Sequence, residues 1–256
     1  MPKRKRSSAA SKFRIERSST RFASNDSDSD SDSDAALMLD NMKHNIRVID
    51  NTVYFNDAIT HETVFRLNFT LRKLEKSILA RSACLADLLG AEPEAAGKFA
   101  ATTPVHLHVT SYGGLIDAAF SAVDCIKGLK VPVVTVVDGY VASAGTLITL
   151  AGTKRQMLPN AKLLIHQLRT GMWGKFAELT EQYDNSKKTM DHLSAFYVAH
   201  TKIKRKRLDK LLKKDVDWDA TECLAHGVID EIVSPSGPGA GGTGAGGASQ
   251  GDSDDE

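Results

Sequence analysis

Ser143, His166 and Asp215 supply a hydroxyl, an imidazole and a carboxylate, the three groups from which nucleophilic acyl transfer is built. Ser143 lies in Gly139-Tyr140-Val141-Ala142-Ser143-Ala144-Gly145, directly after an apolar, β-branched run and at the predicted start of a helix. Its small neighbours would let a substrate carbonyl approach closely. A helix N-terminus offers free N–H groups and a positive dipole end to a developing oxyanion. The arrangement is close to a strand-turn-helix elbow but lacks the full G-x-S-x-G pattern. Taken alone, a serine at a helix start is more often an N-cap. His166 ends the apolar stretch Leu163-Leu164-Ile165 and is suited to take the serine proton, although a core histidine bonded to a carbonyl is the commoner use of such a position. Asp215, in Lys213-Lys214-Asp215-Val216-Asp217-Trp218-Asp219, is the best acid to orient the imidazole. Asp217 competes, and Asp219 with Glu222 has capping-box spacing. The order Ser, His, Asp differs from those of the familiar hydrolase folds, but geometry defines a triad.

Elements able to hold these groups follow from hydrophobic periods that alternate between two and about 3.6, the pattern of an α/β layered fold. Val53, Tyr54 and Phe55 mark a short strand. Val64, Leu67, Leu71, Leu74 and Ile78 predict a helix from about Thr60 to Leu89. Val105, Leu107 and Val109 alternate with His106 and His108 as an exposed or edge-facing strand, broken by Gly113-Gly114. A helix over 115–128 leads to Val131–Val137, a run typical of a strand covered on both faces. A helix begins near Ser143, a strand covers 163–165, and a long helix runs from about Lys175 to His200. A short helix over 220–226 ends at Gly227, and Val228–Val233 is the last strand. Met38, Met42, Trp173 and Trp218 read as packing or interface residues.

The chain has 256 residues, 41% hydrophobic and 25% charged, with a formal net charge of +1. That average hides an arm of +7 over residues 1–24, a run of −5 over 25–34 and a tip of −4 at the end. Residues 1–36, with alternating Ser and Asp at 27–34, predict a disordered arm. Residues 236–256 hold eight of the 19 glycines and predict a flexible linker with an acidic tip. A domain over 37–235 remains. No stretch approaches the roughly 20 apolar residues of a membrane span, and no apolar segment follows the basic N-terminus as a signal peptide requires. Cys84, Cys125 and Cys223 lie far apart, which argues against a zinc site or disulfide framework and for a reducing intracellular compartment such as the cytoplasm. Lys3-Arg4-Lys5-Arg6 suits nuclear import or, as the one nucleic-acid-like feature, a phosphate-binding arm.

Ser111-Tyr112-Gly113-Gly114, the Ser143 segment, Leu158-Pro159-Asn160 followed by Leu164-Ile165-His166-Gln167, and Asp215 ahead of Ala220–Asp230 together resemble the Clp protease proteolytic subunit family over roughly 45–234. The resemblance implies a crotonase-like α/β fold of repeated βαβ-type units with a protruding helical handle. It implies a serine endopeptidase with Ser143 as nucleophile, His166 as base and Asp215 as orienter, and with Gly114 and Ala144 at the oxyanion hole. Gly113 and the stretch Gly171-Met172-Trp173, a strand beside the substrate, would contact the peptide. It further implies a homo-oligomer of seven-membered rings, possible in stacked pairs, fed with polypeptide by an AAA+ unfoldase. That partner would use ATP, with no metal or organic cofactor in this chain.

Four departures stand out. Tyr112 replaces the usual proline, the Ser143–His166 interval is about two residues shorter than in the common bacterial form, 82–103 reads as a longer loop, and the charged N-terminus is unlike the family's axial segment. The pattern is more similar to the divergent forms carried by some phages and large viruses. Two other classes compete: a non-catalytic structural subunit of a mixed ring, and an acyl-CoA enzyme of the crotonase type.

Overall fold

A computed structural model of the chain describes residues 46–92 and 94–233. The charged arm, Met38, Met42, Lys3–Arg6 and the glycine-rich tail lie outside the described residues. Among the described residues, seven strands form one sheet: β1 (Ile46–Ile49), β2 (Thr52–Asn56), β3 (Val105–Ser111), β4 (Val133–Ala142), β5 (Lys154–Met157), β6 (Lys162–Leu164) and β7 (Glu231–Ile232). The order is β1-β2-β3-β4-β5-β7, with β6 pairing the far end of β4. Only β1 and β2 are antiparallel; every other pair is parallel.

Helices connect the parallel strands: α1 (His61–Leu88), α2 (Glu94–Ala101), α3 (Ile116–Lys127), α4 (Gly145–Leu150), α5 (Phe176–His200), α6 (Arg205–Leu211) and α7 (Ala220–Ala225). Helix α1 buries Val64, Leu67, Leu71 and Ile78 against the sheet, the stripe its spacing predicts. Thr60 caps it, accepting from the Thr63 N–H at 3.1 Å. In β4, Val133–Val137 are all buried, as a strand covered on both faces requires. Helix α5 buries only Leu193, Ser194, Phe196 and Tyr197. Its first three turns and more therefore stand clear of this chain's core, as a handle would.

Several expectations change. Residues 82–103 are not a long loop: α1 continues to Leu88 and α2 fills 94–101. Ala95, Ala96 and Ala100 favour a helix, and Glu94 in its first turn and Lys98 in its last match the dipole. Strand β3 is interior, between β2 and β4, so His106 and His108 face a half-buried surface rather than an edge. His108 Nδ1 lies 3.1 Å from Asp138 Oδ2, and its ring packs on Tyr54 at 4.8 Å. The last strand shrinks to Glu231–Ile232, because Val228 and Ile229 are buried in the turn after Gly227, whose φ is 66°. No strand forms at 171–175, since no described segment lies alongside to pair with it, and a lone strand has no hydrogen-bonding partner. The helix after Ser143 starts at Gly145.

Candidate active site

Strand β4 delivers Ser143 at the end of the most buried strand of the sheet. Parallel pairing of Val141 and Ala142 with Leu163 and Leu164 fixes the approach, and the Ser143 N–H donates to the Leu164 carbonyl at 2.9 Å. The chain then turns sharply, with Ser143 at φ 55°. A left-handed serine costs about 1–3 kcal/mol and persists only where its surroundings hold it. Thr146 is one such holder: its hydroxyl donates to the Ser143 carbonyl at 2.7 Å and lies 2.5 Å from the buried Tyr197 hydroxyl of α5. Burial pushes the Tyr197 phenol up to about 12, so it stays a neutral partner.

The two glycines of the β3 turn are required by space. A Cβ on Gly113 would lie 2.6 Å from Ser143 Cβ, and one on Gly114 would lie 2.1 Å from the Ile59 carbonyl oxygen. Gly114 and Ala144 both have backbone N–H groups that donate to no acceptor among the described residues. With α4 only six residues long, the anion-stabilising capacity of this corner rests on those individual N–H groups more than on a macrodipole.

His166 follows β6 and is half-buried. Its Nδ1 lies 2.6 Å from the Gln167 carbonyl oxygen. Because a carbonyl only accepts, Nδ1 carries the proton and Nε2 is left with its lone pair, the tautomer a general base needs. The three acids have separate partners. Asp219 caps α7, accepting from the Glu222 N–H at 2.8 Å. Asp217 accepts from the Tyr140 hydroxyl at 2.8 Å; burial, and then this bond, raise that phenol to about 12. Asp215 is ion-paired with Arg169 and does not touch His166. The backbone nonetheless brings the two segments together: Leu163 and Trp218 form an antiparallel bridge, and the Gln167 N–H donates to the Leu212 carbonyl at 2.7 Å.

A cleft of about 920 Å³ opens above the serine, with Leu115, Ile116 and Phe120 on one side and the inner face of α5 on the other. Gly114, Ser143, Ala144, His166 and Arg169 share it. Gly113 lies beneath the serine, whereas Gly171, Met172 and Trp173 stand outside the cleft, with Trp173 94% exposed. Asp215 also lies outside. The residues missed from sequence are Arg169, Thr146, Tyr197 and Tyr140. Arg169, three residues beyond His166, and Tyr140 and Thr146, each three residues from Ser143, had a positional signal; Tyr197 acts from α5 and had none. Among the described residues no group of three or more His, Cys, Asp or Glu is arranged to hold a metal ion, and no helix is long and apolar enough to cross a membrane.

The family model for Clp protease matches residues 85–236, more than half of the chain. A proteolytic subunit 2 of the ATP-dependent Clp protease of Treponema pallidum is 33% identical over 132 residues, 51% of this chain and 66% of the relative. A proteolytic subunit 3 from Streptomyces avermitilis is 35% identical over 146 residues, 54% of this chain and 65% of the relative. The chain thus spans about two thirds of the length of the curated relatives it matches. Among solved structures, a ClpP1 point mutant from Listeria monocytogenes superposes with a TM-score of 0.58 at 23% identity, covering 73% of this chain and 92% of that one. The sheet, the crossover helices and the handle are those of the ClpP/crotonase-like fold, and the chain belongs to the Clp protease family.

Proposed function

We propose that the chain is a serine endopeptidase of the Clp type acting on unfolded polypeptides or peptides. The observation that carries this reading is the Ser143 corner, a strained serine with two unused N–H groups beside it and a histidine of the correct tautomer in the same cleft. Ser143 Oγ attacks the scissile carbonyl carbon while its proton passes to His166 Nε2. The Gly114 and Ala144 N–H groups receive the oxyanion. His166 returns the proton to the leaving amine, and water, activated by the same imidazole, hydrolyses the acyl-serine. Asp215 orients His166 once it leaves Arg169. Gly113 shapes the wall behind the serine, and Gly171, Met172 and Trp173 contact the peptide.

The same reading includes a homo-oligomer of seven-membered rings, an AAA+ unfoldase that spends ATP to feed substrate, and no cofactor in this chain. Exposed apolar residues on α1 (Phe65, Leu88) and on the handle (Trp173, Phe176) support self-association. Asp215 held by Arg169 favours one other reading, a structural ring subunit that does not cut. A fluorophosphonate probe with native mass spectrometry separates the two. Labelling of an assembled ring, lost in Ser143→Ala, supports the peptidase; a ring that never labels supports the scaffold.

A further inference from the structure

We propose that Arg169 is a specificity-determining residue that gives this chain a preference for acidic polypeptides, exchanging the Asp215 carboxylate for one supplied by the substrate. The inference rests on the peptidase reading and names its substrate class. Arg169 lines the cleft three residues beyond His166, and its guanidinium donates to Asp215 Oδ2. Both side chains are largely in solvent, 70% and 52% exposed. An exposed pair of this kind contributes little, because both charges remain well solvated. A peptide carboxylate held in the cleft therefore competes with Asp215 on nearly equal terms for the same fork of donors.

The surroundings bias the exchange toward anions. Lys188 and His192 of α5 line the same cleft, while Asp117, the acid among the lining residues, already faces His61 Nε2 at 3.4 Å. Beside the cleft lies Lys202–Lys214, with eight basic residues and one acid, Asp209. Arg205 is occupied by Asp209 and Asp191, but Lys206, Lys210, Lys213 and Lys214 are exposed and form no salt bridge among the described residues. This segment is tied to the cleft by the bond from the Gln167 N–H to the Leu212 carbonyl. Acidic segments are attracted to this surface by long-range Coulomb forces. Once a substrate carboxylate takes Arg169, Asp215 is released beside the His166 segment, where it replaces the Gln167 carbonyl as acceptor of Nδ1–H. Substrate chemistry and completion of the catalytic site are thereby linked.

The experiment compares two internally quenched peptides that differ only in Glu against Gln on either side of the scissile bond, using the full-length assembled protein. The parent chain should cleave the Glu peptide with kcat/KM about five-fold higher, a preference that shrinks with added salt. Arg169→Gln should bring the two peptides within about two-fold, partly by raising cleavage of the Gln peptide, and Arg169→Lys should retain part of the preference, since it keeps charge but not the fork. No Glu preference in a chain that labels normally at Ser143 overturns the inference and leaves the peptidase reading standing. A preference that survives Arg169→Gln but falls in Lys213→Gln, Lys214→Gln also overturns it, moving discrimination to the basic segment. If turnover and labelling are absent, the peptidase reading fails separately. Binding of the same peptides to Ser143→Ala, with and without Arg169→Gln, then decides the preference by fluorescence anisotropy.

Discussion

The Ser143 corner and the loop carrying His166 and Arg169 are two halves of one cleft, built in different ways. At the corner, backbone does the positioning: parallel pairing of β4 with β6, two glycines without room for a Cβ, and N–H groups fixed by the chain path. On the other side, exposed side chains choose among partners of similar worth, and Asp215 takes Arg169. Groups fixed by backbone are organised before substrate arrives. Groups fixed by surface ion pairs are settled by what else is in the cleft, because each pair contributes so little.

The sharpest way to break this contrast is to remove the nucleophile. Ser143→Ala should lower peptide cleavage by about 10⁶-fold and abolish probe labelling, with the melting temperature unchanged or raised by relief of other demands on the corner. Next in size is Gly114→Ala, whose new methyl must displace the Ile59 carbonyl. It should cost about 10²–10³-fold in kcat through a misplaced oxyanion donor, seen as loss of turnover with binding retained; unchanged kcat would mean that the corner is softer than argued. Asp215→Asn should cost less than the roughly 10⁴-fold seen where such a change inverts the histidine tautomer, because Gln167 already accepts from Nδ1–H. Rates and pH profiles of Asp215→Asn and His166→Ala, measured together, test that ranking.

A fourth prediction concerns the frame behind the cleft. Arg155 donates to Asp230 through both its backbone N–H, at 2.9 Å, and Nε, at 3.0 Å, and holds that carboxyl below its ordinary range. The lowered folded-state value means that the pair stabilises the fold above the ordinary carboxylate range and loses that contribution as pH falls through it. Denaturant midpoints should fall as the pH drops below the ordinary carboxylate value and through the depressed one, and Asp230→Asn should flatten the part of that drop that belongs to this pair. Smallest of all, Tyr140→Phe removes the exposed bond to Asp217, outside the cleft lining, and should change kcat/KM by less than about ten-fold, since a typical hydrogen bond contributes about 1 kcal/mol net.

Much of this was legible in the chain. The α1 stripe follows from its spacing, because a helix turns such residues to one side, and the buried Val133–Val137 run follows from its lack of alternation, because a strand covered on both faces needs apolar residues pointing both ways. The Asp219–Glu222 cap is equally local. Residues 82–103 misled because an alanine-rich segment broken by Pro93 looks like a loop when its packing against α1 is unseen. The Gly171–Lys175 strand misled for a related reason, since strands are defined by a partner and none is present among the described residues.

The sequence by itself determined which residue types meet: a serine between small neighbours at a strand end, a histidine after the next strand, and two glycines that only their own lack of a side chain can explain. Tertiary structure alone decided the state of those residues. The φ of Ser143, whose N–H is tied to Leu164, and the choice of Arg169 by Asp215, 46 positions on, depend on contacts between separate segments; the Gln167 carbonyl that accepts from His166 is its neighbour in sequence, but the Gln167 N–H is tied to Leu212. Local propensity is a property of neighbours in the chain, whereas an exposed carboxylate takes whichever cation the fold leaves nearest.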